Sequence, residues 1–375
     1  MPWNLYSKVF LLLYCDIIKN KIKKVGDSLV KDLCFEIIES CPNNCKFCSS
    51  NSCIDKKQII SFEDFKRVID YFIGKGGIEE LSLSGGEPFL HPNLFDMVEY
   101  ATSNGIKTVI FTSGIKRTAP PSNLECEFLL SEMNEKLKEI DEHEPWNNRL
   151  KNNIRAYYQK MIHPNTFSPI SKLELSRLKS FGLAKIVFDY QAYEHDTDAY
   201  LMGRDRNKHA CLLTSMFNAS VVGLSTDVHF IPMKPNYHEI SDILEMLEIA
   251  KIEQISILKF VPQGRGLVNV SDLMLSEEEL KQFLRSLNLS RSLFSGKIRI
   301  GIPLMGESDH KCNAGLEKLD IKFDGTVLPC PAFKELDIET MRKYGIKHYS
   351  IYENLEEVNT PGGKRVEPLC QKVYK

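Results

Sequence analysis

Cys41-Pro42-Asn43-Asn44-Cys45-Lys46-Phe47-Cys48 is the stretch on which the reading of the chain turns. Its three cysteines, three and then two residues apart, follow directly on an apolar run from Leu33 to Ile38. Such spacing lets one loop wrap around one inorganic cluster, each thiolate reaching a different iron. A 4Fe–4S cube has one more iron than three thiolates can reach, so a corner stays open for an outside ligand. An open position of this kind separates catalytic metal sites from closed structural ones. A zinc knuckle or a set of buried thiols is the other reading. Zinc wants a fourth ligand at knuckle spacing, and none is evident here.

Outward from this loop the chain alternates strand, loop and helix. Asp32 to Ile38 reads as a buried strand, and Ser61-Phe62-Glu63-Asp64 as a capped helix start continued by Phe65, Val68, Ile69 and Phe72. Strands are expected at Glu80–Ser84, Lys107–Thr112, Ala184–Asp189, Asp227–Pro232 and Gln254–Val261, with helices at Asn93–Ser103, within Asn207–Phe217 and at Glu239–Ile249. This is the pattern of parallel βα units, with loops at the C-terminal strand ends where such folds place chemistry. Six strands predict an α/β fold, a partial (β/α)6 TIM-like barrel over residues 31–268. Between Gly114 and Phe181 lies an oversized helical insertion, read either as a substrate-facing lid or as a solvated excursion beside the barrel. Beyond Gly266 come a capped helix from Ser276, a strand at Lys297–Ile302 and a hairpin turning at Asp324-Gly325, which suggest a smaller C-terminal module over 269–375.

Composition bounds the function. Of 375 residues 43% are hydrophobic and 26% charged, enough for a sizeable core. A net charge of −2 without a dominant basic patch argues against nucleic-acid binding by electrostatics. Eleven clustered cysteines point to metal in a reducing compartment, hence the cytoplasm. Val9 to Ile18 is apolar but too short to span a bilayer, and no small-residue cleavage site follows it. A helix over residues 1–30, packed on the main domain or lying on a membrane surface, is expected there.

The cysteine loop resembles the signature of the radical S-adenosylmethionine (radical SAM) enzymes, including the aromatic Phe47 before the last cysteine. Gly85-Gly86-Glu87-Pro88, one unit later, matches the family's second motif, which binds the methionyl amino group. Thr112-Ser113-Gly114 resembles the third-strand motif, usually Thr-Asn-Gly. The resemblance implies that Cys41, Cys45 and Cys48 hold a 4Fe–4S cluster whose open iron is chelated by S-adenosylmethionine. It further implies reductive cleavage to a 5′-deoxyadenosyl radical that abstracts hydrogen from a substrate, with electrons from a ferredoxin or flavodoxin. Asp189 is a candidate for the ribose hydroxyls, against an ordinary strand-end carboxylate. Val261 lies in a segment resembling the adenine-contacting stretch. Glu194, His195 and Asp196 are catalytic types, though a solvated loop explains them equally.

Cys312 before the hairpin and Cys330 after it, with Cys370 later, resemble the twitch and SPASM modules that bind auxiliary iron–sulfur clusters. Three cysteines exclude two auxiliary clusters; one cluster held by Cys312, Cys330 and Cys370 is implied, against a degenerate module kept for packing. Cys15, Cys34, Cys126 and Cys211 read as small buried hydrophobes, and Cys53 as a spare ligand by proximity alone. The leading function is therefore modification of a peptide or protein. A small-molecule oxidoreductase acting on a sugar, nucleotide or cofactor precursor is the second, and a non-catalytic iron–sulfur electron carrier the third. Only 40 residues precede Cys41, and they read as helical, so leader recognition is expected to come from elsewhere.

Overall fold

Strand β1 (Val30–Ile38) is the centre of the sheet, because Leu33, Phe35 and Ile37 on one face are fully buried. The computed structural model describes residues 30–118, 121–140, 145–162, 167–300, 312–365 and 369–370. The expected N-terminal helix and Cys15 lie outside them. Helices cover the apolar face of β1 and its neighbours. In Phe62–Gly74 the Ser61 hydroxyl accepts the Asp64 amide, and Phe65, Val68, Ile69 and Phe72 face inward, as the period requires.

Parallel strands β2 (Ile78–Gly85), β3 (Lys107–Thr112), β6 (Lys185–Asp189), β7 (Thr226–Phe230) and β8 (Gln254–Ile257) follow in spatial order from β1. Helices Leu94–Ser103, Lys172–Ser180, Arg206–Val222 and Ile240–Ile249 connect them. The open parallel α/β sheet expected of a partial barrel is present. It carries one more parallel strand, β9 (Lys297–Ile300), paired with β8 after the capped helix Glu277–Ser290. A strand buried on both faces reads as a continuous apolar run. Lys-Ile-Arg-Ile alternates in residue type because β9 is the edge strand among the described residues, which is why it reads as lying outside the barrel.

The hairpin strands β10 (Lys318–Ile321) and β11 (Thr326–Leu328) turn through Gly325 at φ +85, as expected, and β12 (Tyr349–Ser350) pairs with β11. β10 pairs in parallel with the free side of β1, Cys34 opposite Asp320. The hairpin therefore continues the main sheet, in the order β12-β11-β10-β1-β2-β3-β6-β7-β8-β9. Within the insertion a two-stranded ribbon of β4 (Ile115–Arg117) and β5 (Phe167–Pro169) forms a neck. Beyond it stand helices Asn123–Lys138 and Pro145–Ile162. Asn123–Lys138 buries no residue, and Phe128 is 68% exposed. Among the described residues no helix is long and apolar enough to cross a membrane.

Candidate functional site

The cysteine loop springs from the C-terminal end of β1. It closes on itself, the Cys41 amide donating to the Cys53 carbonyl at 3.1 Å and the Cys48 amide to the Cys45 carbonyl at 3.2 Å. The end of helix His195–Met202 pins its outer side. There the Asn44 amide donates to the Met202 carbonyl at 3.1 Å, and the Lys46 amide to that of Leu201 at 2.8 Å. Lys208 Nζ donates to the Pro42 carbonyl at 2.7 Å. Cys41 and Cys45 are buried and Cys48 is half-buried. Burial, then the nearby Glu87 carboxylate, pushes the Cys41 thiol up; burial, then Cys41 and Cys48, does the same to Cys45. An iron bound there would oppose this shift, since a coordinating thiol is deprotonated outright.

Do these thiols suit a cluster? Among the described residues no three His, Cys, Asp or Glu side chains close on the space of a single ion. A cube gives each thiolate its own iron, so its ligands stand apart while facing one space. Cys41, Cys45 and Cys48 all line one cavity of about 610 Å³. That arrangement fits a cluster and not a zinc knuckle.

Gly85 and Gly86 end β2 against the strand that feeds the loop. The Gly86 amide donates to the Ile38 carbonyl at 2.6 Å and the Glu87 amide to the Ser40 carbonyl at 2.8 Å. Gly85 has φ +128, and a Cβ on Gly86 would lie far inside van der Waals contact with the Ser40 carbonyl oxygen. Both glycines line the cavity; Glu87 and Pro88 do not. Pro88 opens the short turn Pro88–Leu90. The fully buried Glu87 carboxylate accepts from Thr112 Oγ1 and the Ser113 amide, each at 2.7 Å, from the Phe89 amide at 3.0 Å, and from the Ser113 hydroxyl. Burial raises its pKa, against these four bonds. Glu87 thus ties the end of β2 to the end of β3, and Thr112 and Ser113 face the cavity beside the glycines.

Asp189, at the end of β6, also lines the cavity; burial raises it, and the Arg204 guanidinium is the main opposing influence. Arg204, almost fully buried, donates to Asp198 at 3.1 Å and to the Asp189 carbonyl at 3.2 Å. Val261 lines the cavity from a loop, since β8 ends at Ile257 and is shorter than the expected Gln254–Val261. Glu194, His195 and Asp196 begin a helix outside the cavity lining. Cys53 is half-buried and outside that lining, as are buried Cys211 and half-buried Cys126, whereas Cys34 belongs to it. Among the described residues of the 115–180 insertion none lines it either.

The rest of the cavity wall was not singled out in the sequence. Asp32, Cys34 and Glu36 alternate along the inner face of β1, a polar period of two inside an apolar strand. Lys334 Nζ donates to Glu36 at 2.5 Å, where the Ser50 hydroxyl also donates at 2.8 Å, and Lys318 Nζ donates to Asp32 at 2.5 Å. Across the cavity, His229 lies 5.0 Å from the Phe111 ring. Burial and the charges of Arg299, Lys185 and Lys318 hold His229 neutral, its pKa pushed down to about 3.

Cys312, Cys330 and Cys370 come together in one small apolar cluster with Leu328, Phe333, Met341 and Leu369. The Leu369 amide donates to Cys312 Sγ at 3.5 Å. Burial pushes the Cys330 thiol up to about 11, against the Lys318 charge. Of the three, only Cys330 lines the main cavity.

Residues 35–142 match the family model described as Radical SAM superfamily. The PqqA peptide cyclase of Bradyrhizobium diazoefficiens is 21% identical over 316 residues, which is 82% of this chain and 69% of that protein. An S-adenosylmethionine-dependent nucleotide dehydratase of Flammeovirga pacifica is 20% identical over 265 residues, 69% of this chain and 73% of its own. Among solved structures, that of Streptococcus suis SuiB superposes with a TM-score of 0.58 at 14% identity, over 92% of this chain and 70% of that one. At that identity the likeness speaks for the fold. Residues 35–142, which hold the cysteine loop and the two glycine-bearing turns on successive strand ends, are thus similar to the radical SAM superfamily, enzymes that work with a 4Fe–4S cluster and S-adenosylmethionine.

Proposed function

We propose that the chain modifies a peptide or protein by hydrogen abstraction. In this reading residues 31–268 form the catalytic core and 269–375 the auxiliary module, which lends the core sheet strands β9 and β10. When bound, the cluster and S-adenosylmethionine supply the one-electron cleavage that yields a 5′-deoxyadenosyl radical. The protein's part is to hold and orient. Cys41, Cys45 and Cys48 hold the cluster. The backbone of Gly85 and Gly86, with Thr112 and Ser113, faces the methionyl end, while Glu87 fixes the shape of that turn from behind. Asp189 and Val261 line the nucleoside side. Cys312, Cys330 and Cys370 hold a second cluster, and a small redox protein such as a ferredoxin or flavodoxin supplies electrons.

One observation carries this reading: a single cavity is lined by the first three cysteines at one place and by Cys330 at another. A substrate held between them would have the site of abstraction and a second metal centre on either side. The relatives named PqqA peptide cyclase match over most of the chain, and SuiB has been solved bound to the precursor peptide SuiA. The nucleotide dehydratase match favours a small-molecule substrate as the second reading.

The test is anaerobic reconstitution with dithionite, followed by iron counting and 5′-deoxyadenosine assay. A short peptide encoded beside the gene should raise 5′-deoxyadenosine formation above the substrate-free rate and change mass. Stimulation by nucleotides but not by peptides sinks the peptide reading. Fully loaded protein that never cleaves S-adenosylmethionine sinks the proposal that these residues form a working site.

A further inference from the structure

The cysteine loop is gripped from beneath by a segment that bears no cysteine. Gly264-Arg265-Gly266 lies beyond the end of β8 and opens the one-turn helix Arg265–Val268. Arg265 Nε donates to the Cys45 carbonyl and its Nη2 to the Ser52 carbonyl, both at 2.7 Å. Its own amide donates to the Cys48 carbonyl at 3.0 Å. Three bonds from one residue thus reach the carbonyls of two cysteines and the far limb of the loop. Asn269 Nδ2, four residues on, adds a bond to the Lys46 carbonyl at 3.1 Å.

The flanking glycines make this approach possible. Gly264 has φ +52, and a Cβ there would lie 2.7 Å from the Cys48 carbonyl oxygen and 2.8 Å from that of Ser49. On Gly266 a Cβ would meet the Phe47 carbonyl oxygen at 3.2 Å. At Gly264 every tight approach is to the cysteine loop, and Gly266 lies between that loop and the Phe260 ring at 3.1 Å, so the segment is shaped to fit against the loop. The guanidinium is a planar fork, and its Nε and Nη2 are each spent on a carbonyl of the loop. Among the described residues no carboxylate forms an ion pair with Arg265, so its charge is not cancelled by a partner where it holds the loop that carries the three prospective thiolates.

We propose that Arg265 is a positioning residue for the primary cluster: it sets the loop in its ligating shape and supplies a positive charge that favours the reduced, more negative state. The proposal rests on the assignment of Cys41, Cys45 and Cys48 as cluster ligands. The fork ties the Cys45 and Ser52 carbonyls to one rigid group, as partners behind metal ligands do when they orient them. A lysine would keep the charge and lose the fork; a glutamine would lose the charge.

The two variants separate these roles. Full-length protein is reconstituted anaerobically as wild type, Arg265→Lys and Arg265→Gln. Iron release to a chelator, the midpoint potential and the electron paramagnetic resonance signal that shifts on adding S-adenosylmethionine are then measured. Hydrogen exchange of residues 41–53 and circular dichroism report the loop and the fold. Both variants should release that iron roughly 10–100-fold faster, the range for groups that orient metal ligands, and exchange faster in the loop with unchanged dichroism. Only Arg265→Gln should move the potential, to a more negative value. Wild-type iron release and potential in both variants overturn the proposal while the ligand assignment stands. A Cys45→Ala protein that keeps the S-adenosylmethionine-responsive signal overturns the assignment and this inference together.

Discussion

Replacing Lys334 by Met tests whether the wall between the cysteine loop and the hairpin is held by charge. Lys334 Nζ sits 2.5 Å from Glu36, and the Glu36 side chain is 1% exposed. Asp320, fully buried on the neighbouring strand, leaves both carboxylate oxygens without a hydrogen bond. Burial opposes charge on Lys334, but Glu36 and then Asp320 hold it firmly protonated. Removing one side of a buried pair costs about 3–5 kcal/mol, because the partner charge is left stranded. The pH profile sharpens the test. Burial pushes Asp320 up to about 6, restrained mainly by Lys334. A carboxyl raised above its unfolded value of about 3.9 stabilises the fold below that value and loses the contribution as pH rises through the folded pKa. Near pH 5 Asp320 is already protonated, and the variant strands Glu36 alone. Near pH 8 both carboxylates have lost their main counter-charge, and each further unit of climb in the Asp320 pKa adds about 1.4 kcal/mol to the deficit. Urea unfolding of the full chain, followed anaerobically by circular dichroism at the two pH values, measures this. A Met variant as stable as wild type at both would refute the reasoning, since it would mean that an apolar side chain packs there as well as the ion pair does.

Three further outcomes are expected. Gly86→Ala drives a methyl group into the Ser40 carbonyl next to the cysteine loop; S-adenosylmethionine affinity, read by equilibrium dialysis, should fall at least tenfold, with a stability loss of about 1–3 kcal/mol. Glu87→Gln replaces an acceptor of four bonds by a side chain whose amide must face donors; unfolding should show a loss of about 1–3 kcal/mol, and a neutral result would mean that the turn is not held by Glu87. Cys312→Ala with Cys330→Ala should remove about four irons per chain, one cube, and leave the S-adenosylmethionine-responsive signal in place.

The parallel units were legible because each strand from Asp32 to Ile257 carries a run of buried apolar residues and the helices that connect them turn buried apolar residues inward. The three motifs were legible for another reason: cluster and backbone contacts fix residue types at fixed spacings within one loop. What the sequence hid lies between elements far apart in the chain. Nothing in Gly85-Gly86-Glu87 alone says that the carboxylate turns back to β3, because its partners Thr112 and Ser113 arrive one unit later. The β1 wall was disguised by the apolar residues that alternate with Asp32, Cys34 and Glu36. Arg265 gave no signal, as its partners are carbonyls, which every residue possesses.

The parallel pairing of β10 with β1 bears on how the chain is made. The Lys31–Glu317 pair at the base of these strands joins residues 286 positions apart. During synthesis at roughly 5–20 residues per second, one side of β1 waits on the order of fifteen to sixty seconds for its neighbour. Through that interval it presents a raw strand edge, the kind that recruits other chains. Glu36, at the end of β1 that leads into the cysteine loop, meets Lys334 only when the hairpin arrives. A nascent chain stopped near residue 300 has every parallel strand of the core except the one that closes β1. Such a fragment is expected to collect in aggregates rather than accumulate as an iron-loading core.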